Sequence, residues 1–246
     1  MTGADGGTIQ LSVNDDWTVY CNATVTDPDG YQDINSSNAT LYHQSSTFQS
    51  ADDYNVHYTN AHCSLTGGAG SDRNASCAFV LHHEALNGTW TCRIDARDSS
   101  GNSGYATGTN SVDQLIALDI LEPALSFGSM ENGQNSSAAN STNITNKGNV
   151  VIDIQVRGNS GMSCSIAGAI GIGNISYNVS SGNYDSMSAK KLSTSFASEN
   201  VFDLGVEGIA TSDGVPSTKN EYWTIKIPSG VRGVCNNTVT VTAIIT

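Results

Sequence analysis

Trp17-Thr18-Val19-Tyr20-Cys21-Asn22-Ala23-Thr24-Val25 is the stretch that decides the fold. Its odd positions, Trp17, Val19, Cys21, Ala23 and Val25, are apolar apart from the thiol, while Thr18, Tyr20, Asn22 and Thr24 point the other way. A strand sends successive side chains to opposite faces, so this period of two marks a strand half-buried against a core. Thr89–Arg97 repeats the pattern on even positions: Trp90, Cys92, Ile94 and Ala96 oppose Thr89, Thr91, Arg93, Asp95 and Arg97. Both cysteines therefore fall on the core side of their strands.

Working outward, the same alternation returns in Val150, Ile152, Ile154 and Val156, in Trp223, Ile225 and Ile227, and in Val239, Val241, Ala243 and Ile245. No long amphipathic helix is legible, which predicts an all-β protein. A length of 246 residues accommodates two ordinary domains. The break is placed at Leu121-Glu122-Pro123, after strand-like Tyr105–Ile120, because proline ends ladder pairing. Residues 1–121 and 122–246 are expected to form tandem immunoglobulin-like β-sandwiches, joined by a short linker that holds them as a semi-rigid rod.

Six cysteines without a C-x-x-C pair argue against zinc and for disulfides, hence for an oxidising compartment. Two core-facing cysteines 71 residues apart suit a bridge between the B and F strands of a sandwich, so Cys21–Cys92 is predicted. Cys63–Cys77 would then close a short loop and Cys164–Cys235 would staple the second half; confining bridges to domains leaves three connectivities, of which this is one.

Eleven N-x-S/T sequons, at Asn22, Asn35, Asn38, Asn74, Asn87, Asn135, Asn140, Asn143, Asn174, Asn178 and Asn236, are about twice the number that composition would scatter by chance. Asn22, Asn174 and Asn178 take the polar parity of their strands, while Asn135, Asn140 and Asn143 are read as loop residues, so N-linked glycans are expected on all eleven. A net charge of -13 leaves no basic patch for nucleic acid, and no run of about 18 apolar residues spans a membrane. The polar opening Met1-Thr2-Gly3-Ala4-Asp5 carries no signal peptide, so export implies a leader removed upstream.

Three clusters carry potential chemistry. Asp27, Asp29 and Asp33, with Asp98, fall in loops that meet at one pole of a sandwich, where they offer a hard site for Ca²⁺ or simply serve the turns. His82-His83-Glu84 resembles a metal cluster, but neighbouring residues on a strand face opposite ways, so a polar turn is expected there. Gly168–Gly173 has glycines without a following helix to hold phosphate. No nucleophile elbow or H-E-x-x-H motif appears, and no required cofactor or catalytic residue is expected.

Cys21-Asn-Ala-Thr-Val-Thr-Asp-Pro-Asp-Gly-Tyr-Gln-Asp-Ile34 and Gly88-Thr-Trp-Thr-Cys-Arg-Ile-Asp-Ala-Arg-Asp-Ser-Ser-Gly-Asn102 resemble the Ig-like domains of secreted microbial, especially archaeal, surface proteins. Leu125–Gly128, Thr145–Ile154 and Tyr222–Pro228 are similar to a second sandwich common in them; the six cysteines are a departure. The resemblance implies fold and compartment, and some such proteins form threads, sheaths or tubes by donor-strand exchange. The chain ends suit that mode: Thr8–Val13 and Asn237–Thr246 both alternate and are able to pair with an open sheet edge on another copy. The expected function is a structural subunit of an extracellular filament, sheath or surface layer, with copies of itself as partners. The alternative is an adhesin binding host or neighbour-cell glycans.

Overall fold

In the first half, alternating segments become seven antiparallel strands in two facing sheets. The computed structural model describes residues 7–198, 202–209 and 214–246, so the polar opening Met1–Asp5 lies outside the described residues while the expected donor Thr8–Val13 lies within them. One sheet orders β1 (Trp17–Thr26), β5 (Asp72–Leu81) and β4 (Ser64–Ala69) as β1-β5-β4. The other orders β2 (Ile34–His43), β3 (His57–Asn60), β6 (Gly88–Asp98) and β7 (Ser103–Val112) as β3-β2-β6-β7. Val19, Cys21, Leu41, Cys77, Phe79, Leu81, Trp90, Cys92 and Ile94 fill the space between them, joined by Ile9 and Leu11 from the entering segment. Trp90 is fully buried and its indole N–H donates to the Leu86 carbonyl at 2.8 Å, which satisfies the one polar atom it brings into the core.

The chain divides into two compact units, the first running to Leu115 and including Gly148–Val150, the second comprising residues 116–147 and 151–246. The single strand read over Tyr105–Ile120 is in fact two: β7 ends at Val112, and β8 (Leu118–Ile120) pairs with β9 (Asn140–Asn146) of the second unit. The division accordingly falls at 115/116 rather than at 121/122. In the first unit, buried Asn149 accepts from the Leu115 N–H at 2.7 Å and donates to the carbonyls of Ala85 and Asp113, each at 3.0 Å. One side chain thus closes three backbone groups.

The second unit is built on β13-β15-β9-β8 and β14-β10-β17, with a small β12-β11-β16 sheet. Its further elements are β10 (Ile152–Gly158), β11 (Met162–Cys164), β12 (Ala169–Ile170), β13 (Ile175–Asn178), α1 (Tyr184–Met187), β14 (Ala197–Ser198), β15 (Thr218–Ile225), β16 (Cys235–Asn236) and β17 (Val239–Ile245). Ile152, Ile154 and Val156 are buried, as are Trp223, Ile225 and Ile227. Strand parity fails at Ser176 and Thr224, polar positions that are nevertheless fully buried because β13 and β15 are covered on both faces. It also fails for β17, whose Val239, Val241 and Ala243 stay half-exposed and whose Ile245 is exposed. The protein is all-β, with β-sandwich architecture.

Candidate functional site

The bridges are Cys21–Cys92 at a Cα separation of 6.4 Å, Cys63–Cys77 at 4.5 Å and Cys164–Cys235 at 4.1 Å. Cys21 and Cys77 stand directly opposite each other on β1 and β5, so four cysteines converge within one core. Cys21 reaches across to the other sheet and Cys77 turns to Cys63.

Among the sequons, Asn22, Asn35, Asn38, Asn74 and Asn236 are exposed, and Asn87, Asn135, Asn140, Asn143, Asn174 and Asn178 are half-buried. Asn140 and Asn143 are strand residues of β9, not loop residues, since Thr142, Ile144 and Asn146 supply the buried parity of a strand. Their amides are engaged: Asn140 Nδ2 donates to Ser126 O at 2.8 Å and Asn143 Nδ2 to Asn220 Oδ1 at 3.3 Å. Asn135 Nδ2 donates to Asp185 at 3.1 Å. Asn174 ends a short 3-10 turn ahead of β13 and not a strand.

The two acidic loops do meet at one pole: Ser99 N donates to Asp33 O at 3.0 Å, and the Ser99 hydroxyl donates to the Asp33 carboxylate. One carboxylate oxygen from each of Asp27, Asp29 and Asp33 lies within 4.8 Å of the others. Desolvation and the like charges of Asp98, Asp27 and Asp29 push Asp33 above the ordinary carboxylate range. Asp98 is spent differently. Its carboxylate accepts from Asn102 N and Nδ2, both at 2.7 Å, and these bonds hold it below the usual range. Asp27 accepts from Asp29 N at 2.9 Å, which is turn chemistry.

Opening onto this pole lies a cleft of about 520 Å³ that periodicity did not reveal, lined by Ala23, Val25, Ile94 and Ala106 and also by Asp27 and Asp98 of the pole itself. Its cause is the sheet order: β1 and β7 are the outer strands of facing sheets, and no third strand closes the gap between them among the described residues. Ala106 and Gly104 stand opposite Ile94 and Ala96 and share their inward face, yet both are exposed. No strand among the described residues lies over these inward-facing positions. Among the described residues, the entering segment engages β7 near its end: Ile9 N donates to Ser111 O at 2.8 Å, Asp113 N to Ile9 O at 2.8 Å, and Asn110 Nδ2 to Gly7 O at 3.1 Å.

His82, His83 and Glu84 lie just after β5, in a turn closed by Ala85 N donating to His82 O at 2.9 Å. Neighbouring residues face opposite ways along a strand but not in a turn, and here the two rings come together with centroids 4.5 Å apart. Gly168–Gly173 is followed by β13, with no helix. No helix among the described residues is long and apolar enough to cross a membrane.

No protein-family profile and no curated protein matches the chain. Among solved structures, it is similar to a chain of the CsuC–CsuE chaperone–tip adhesion subunit pre-assembly complex from the archaic chaperone–usher Csu pili of Acinetobacter baumannii, at 12% identity over 96% of both chains and a TM-score of 0.43. A chaperone–tip adhesin complex of CFA/I fimbriae biogenesis matches at 8% identity, 98% of this chain, 79% of the other and 0.33. The C-terminal domain of the antigen I/II polypeptide BspA of Streptococcus agalactiae matches at 11%, 98%, 95% and 0.26. At these scores the likenesses decide nothing, and the reading of function rests on the chain's own strands, bridges and edges.

Proposed function

We propose that the chain is a structural subunit of an extracellular filament, sheath or surface layer, glycosylated and joined copy to copy by β-strand addition. The observation that carries this reading is the open cleft between β1 and β7. An added strand would pair its backbone with an outer strand and place alternate side chains on Ala23, Val25, Ile94, Ala96 and Ala106. Three disulfides suit a secreted protein that must persist without a reducing cytosol. Of the two chain ends, the N-terminal segment has already buried Ile9 and Leu11 in its own core. Among the described residues the C-terminal β17 pairs with β10 alone and keeps Val239, Val241 and Ala243 half-exposed, so its edge is the complementary donor. Heterologous strand addition whose rotation does not close into a ring generates a filament.

Electron microscopy and light scattering of the purified chain test this, with Val25→Asp placed in the cleft. Elongated polymers for the parent and folded monomers for Val25→Asp are expected. Monomers at every concentration of the parent, or unchanged polymers from the variant, would refute it.

An adhesive surface is the second reading, favoured by Tyr105, which is 67% exposed and stacks on Arg93 at 4.0 Å, while Phe48 lies 3.9 Å from the same guanidinium. Aromatic faces beside fixed charges suit sugar rings. A glycan array comparing the parent with Tyr105→Ala separates it from assembly.

A further inference from the structure

The turn after β5 concentrates donors that the proposed assembly does not use. One ligand atom from each of His82, His83 and Glu84 lies within 4.8 Å of the other two. His82 Nδ1 is 3.4 Å from Glu84 Oε2, and His83 Nε2 is 3.7 Å from Glu84 Oε1. Donors bound about 2.0–2.2 Å from a tetrahedral ion stand roughly 3.3 Å apart, so small side-chain rotations bring this set onto one centre. His82 Nδ1 is buried and makes no hydrogen bond.

The scaffold under these donors is fixed. The His82 N–H donates to the Tyr58 hydroxyl at 3.1 Å, the Glu84 carbonyl accepts from Asn55 Nδ2 at 2.9 Å, and the Ala85 carbonyl accepts from Asn149 Nδ2 at 3.0 Å. Such outer contacts hold ligands in place before an ion arrives. The Glu84 side chain is only 4% exposed and that of His83 8%, whereas that of His82 is 41% exposed. The exposed imidazole leaves an ion a route in from solvent.

The geometry points to a transition-metal site in which His82 Nδ1, His83 Nε2 and the Glu84 carboxylate bind a divalent ion such as Zn²⁺, with the fourth position open to water. Two imidazoles and one carboxylate suit zinc, copper or nickel, while calcium and magnesium prefer oxygen alone. The site is separate from the acidic pole and uses none of its residues.

Isothermal titration of the full chain with Zn²⁺, paired with the visible spectrum of the Co²⁺-loaded protein, tests the assignment. One ion per chain is expected, with the intense visible bands of four-coordinate cobalt and a rise in melting temperature on zinc addition, because the ion binds only the folded turn. His82→Ala, which removes the most exposed ligand and risks folding least, should weaken binding at least about tenfold. Glu84→Gln should weaken it while the fold, followed by circular dichroism, persists. His62→Ala, an exposed histidine elsewhere, should change nothing. Absence of zinc binding by the parent, or equal affinity in His82→Ala, would overturn the assignment.

Discussion

Two disulfides in this chain enclose the same interval, 71 residues, in different surroundings: Cys21 and Cys92 are buried between sheets, while Cys164 and Cys235 are partly exposed on neighbouring strands. Removing either pair as Cys→Ala should release the same loop-closure entropy, about 4.4 kcal/mol. The core pair also surrenders two buried sulfur atoms and leaves space behind, adding about 1 kcal/mol or more each. The loss for Cys21→Ala/Cys92→Ala is therefore about 6 kcal/mol or more, comparable with the whole stability of a domain at about 5–15 kcal/mol. The first unit should be largely unfolded at physiological temperature in that variant. Cys164→Ala/Cys235→Ala should keep both units folded with a lowered midpoint for the second. Guanidinium unfolding resolves the two, since Trp17 and Trp90 report on the first unit and Trp223 on the second. Equal losses would show that core packing around Cys21–Cys92 contributes nothing beyond loop closure, and the reasoning would fail.

Asn149→Ala removes three hydrogen bonds and leaves buried backbone groups open, so a loss of about 2–4 kcal/mol is expected, measured as a denaturant midpoint. Burial holds the Tyr58 hydroxyl up to about 12, so the folded state keeps a proton that the unfolded chain gives up from pH 10. Stability of the first unit should then fall as pH rises from 10 to about 12, by up to roughly 3 kcal/mol, and Tyr58→Phe should flatten that limb. Asp33 has a raised pKa in the folded state, so its contribution to stability declines as pH rises above 3.8. Asp98, with a lowered one, loses its contribution as pH falls below 3.8. Asp33→Asn should accordingly raise the melting temperature at pH 7 relative to the parent, and a decrease would contradict the repulsion. Glycopeptide mass spectrometry should find glycans at exposed Asn22, Asn35, Asn38, Asn74 and Asn236, and find Asn135, whose amide is held by Asp185, unmodified.

The alternation in Trp17–Val25 and Thr89–Arg97 was enough to place Cys21, Trp90, Cys92 and Ile94 in a core, because parity is a local property of the strand. It weakened where a strand is covered on both faces, as at Ser176 and Thr224, or left open, as along β17, because coverage depends on what packs above. The acidic pole was legible because both loops follow strands with readable ends. The cleft was not, since Gly104, Ala106, Ala23 and Val25 show nothing unusual until two sheet edges stand opposite one another without a third strand. Nor was the convergence of His82, His83 and Glu84, a motif visible in the sequence whose donors meet because of the turn that follows β5. By itself the sequence determined which residues face inward and that the chain is a disulfide-bearing β protein, since both follow from period two and composition. Only the tertiary structure decided which strands lie at the edges and which donors meet, because those depend on contacts between residues far apart in the chain.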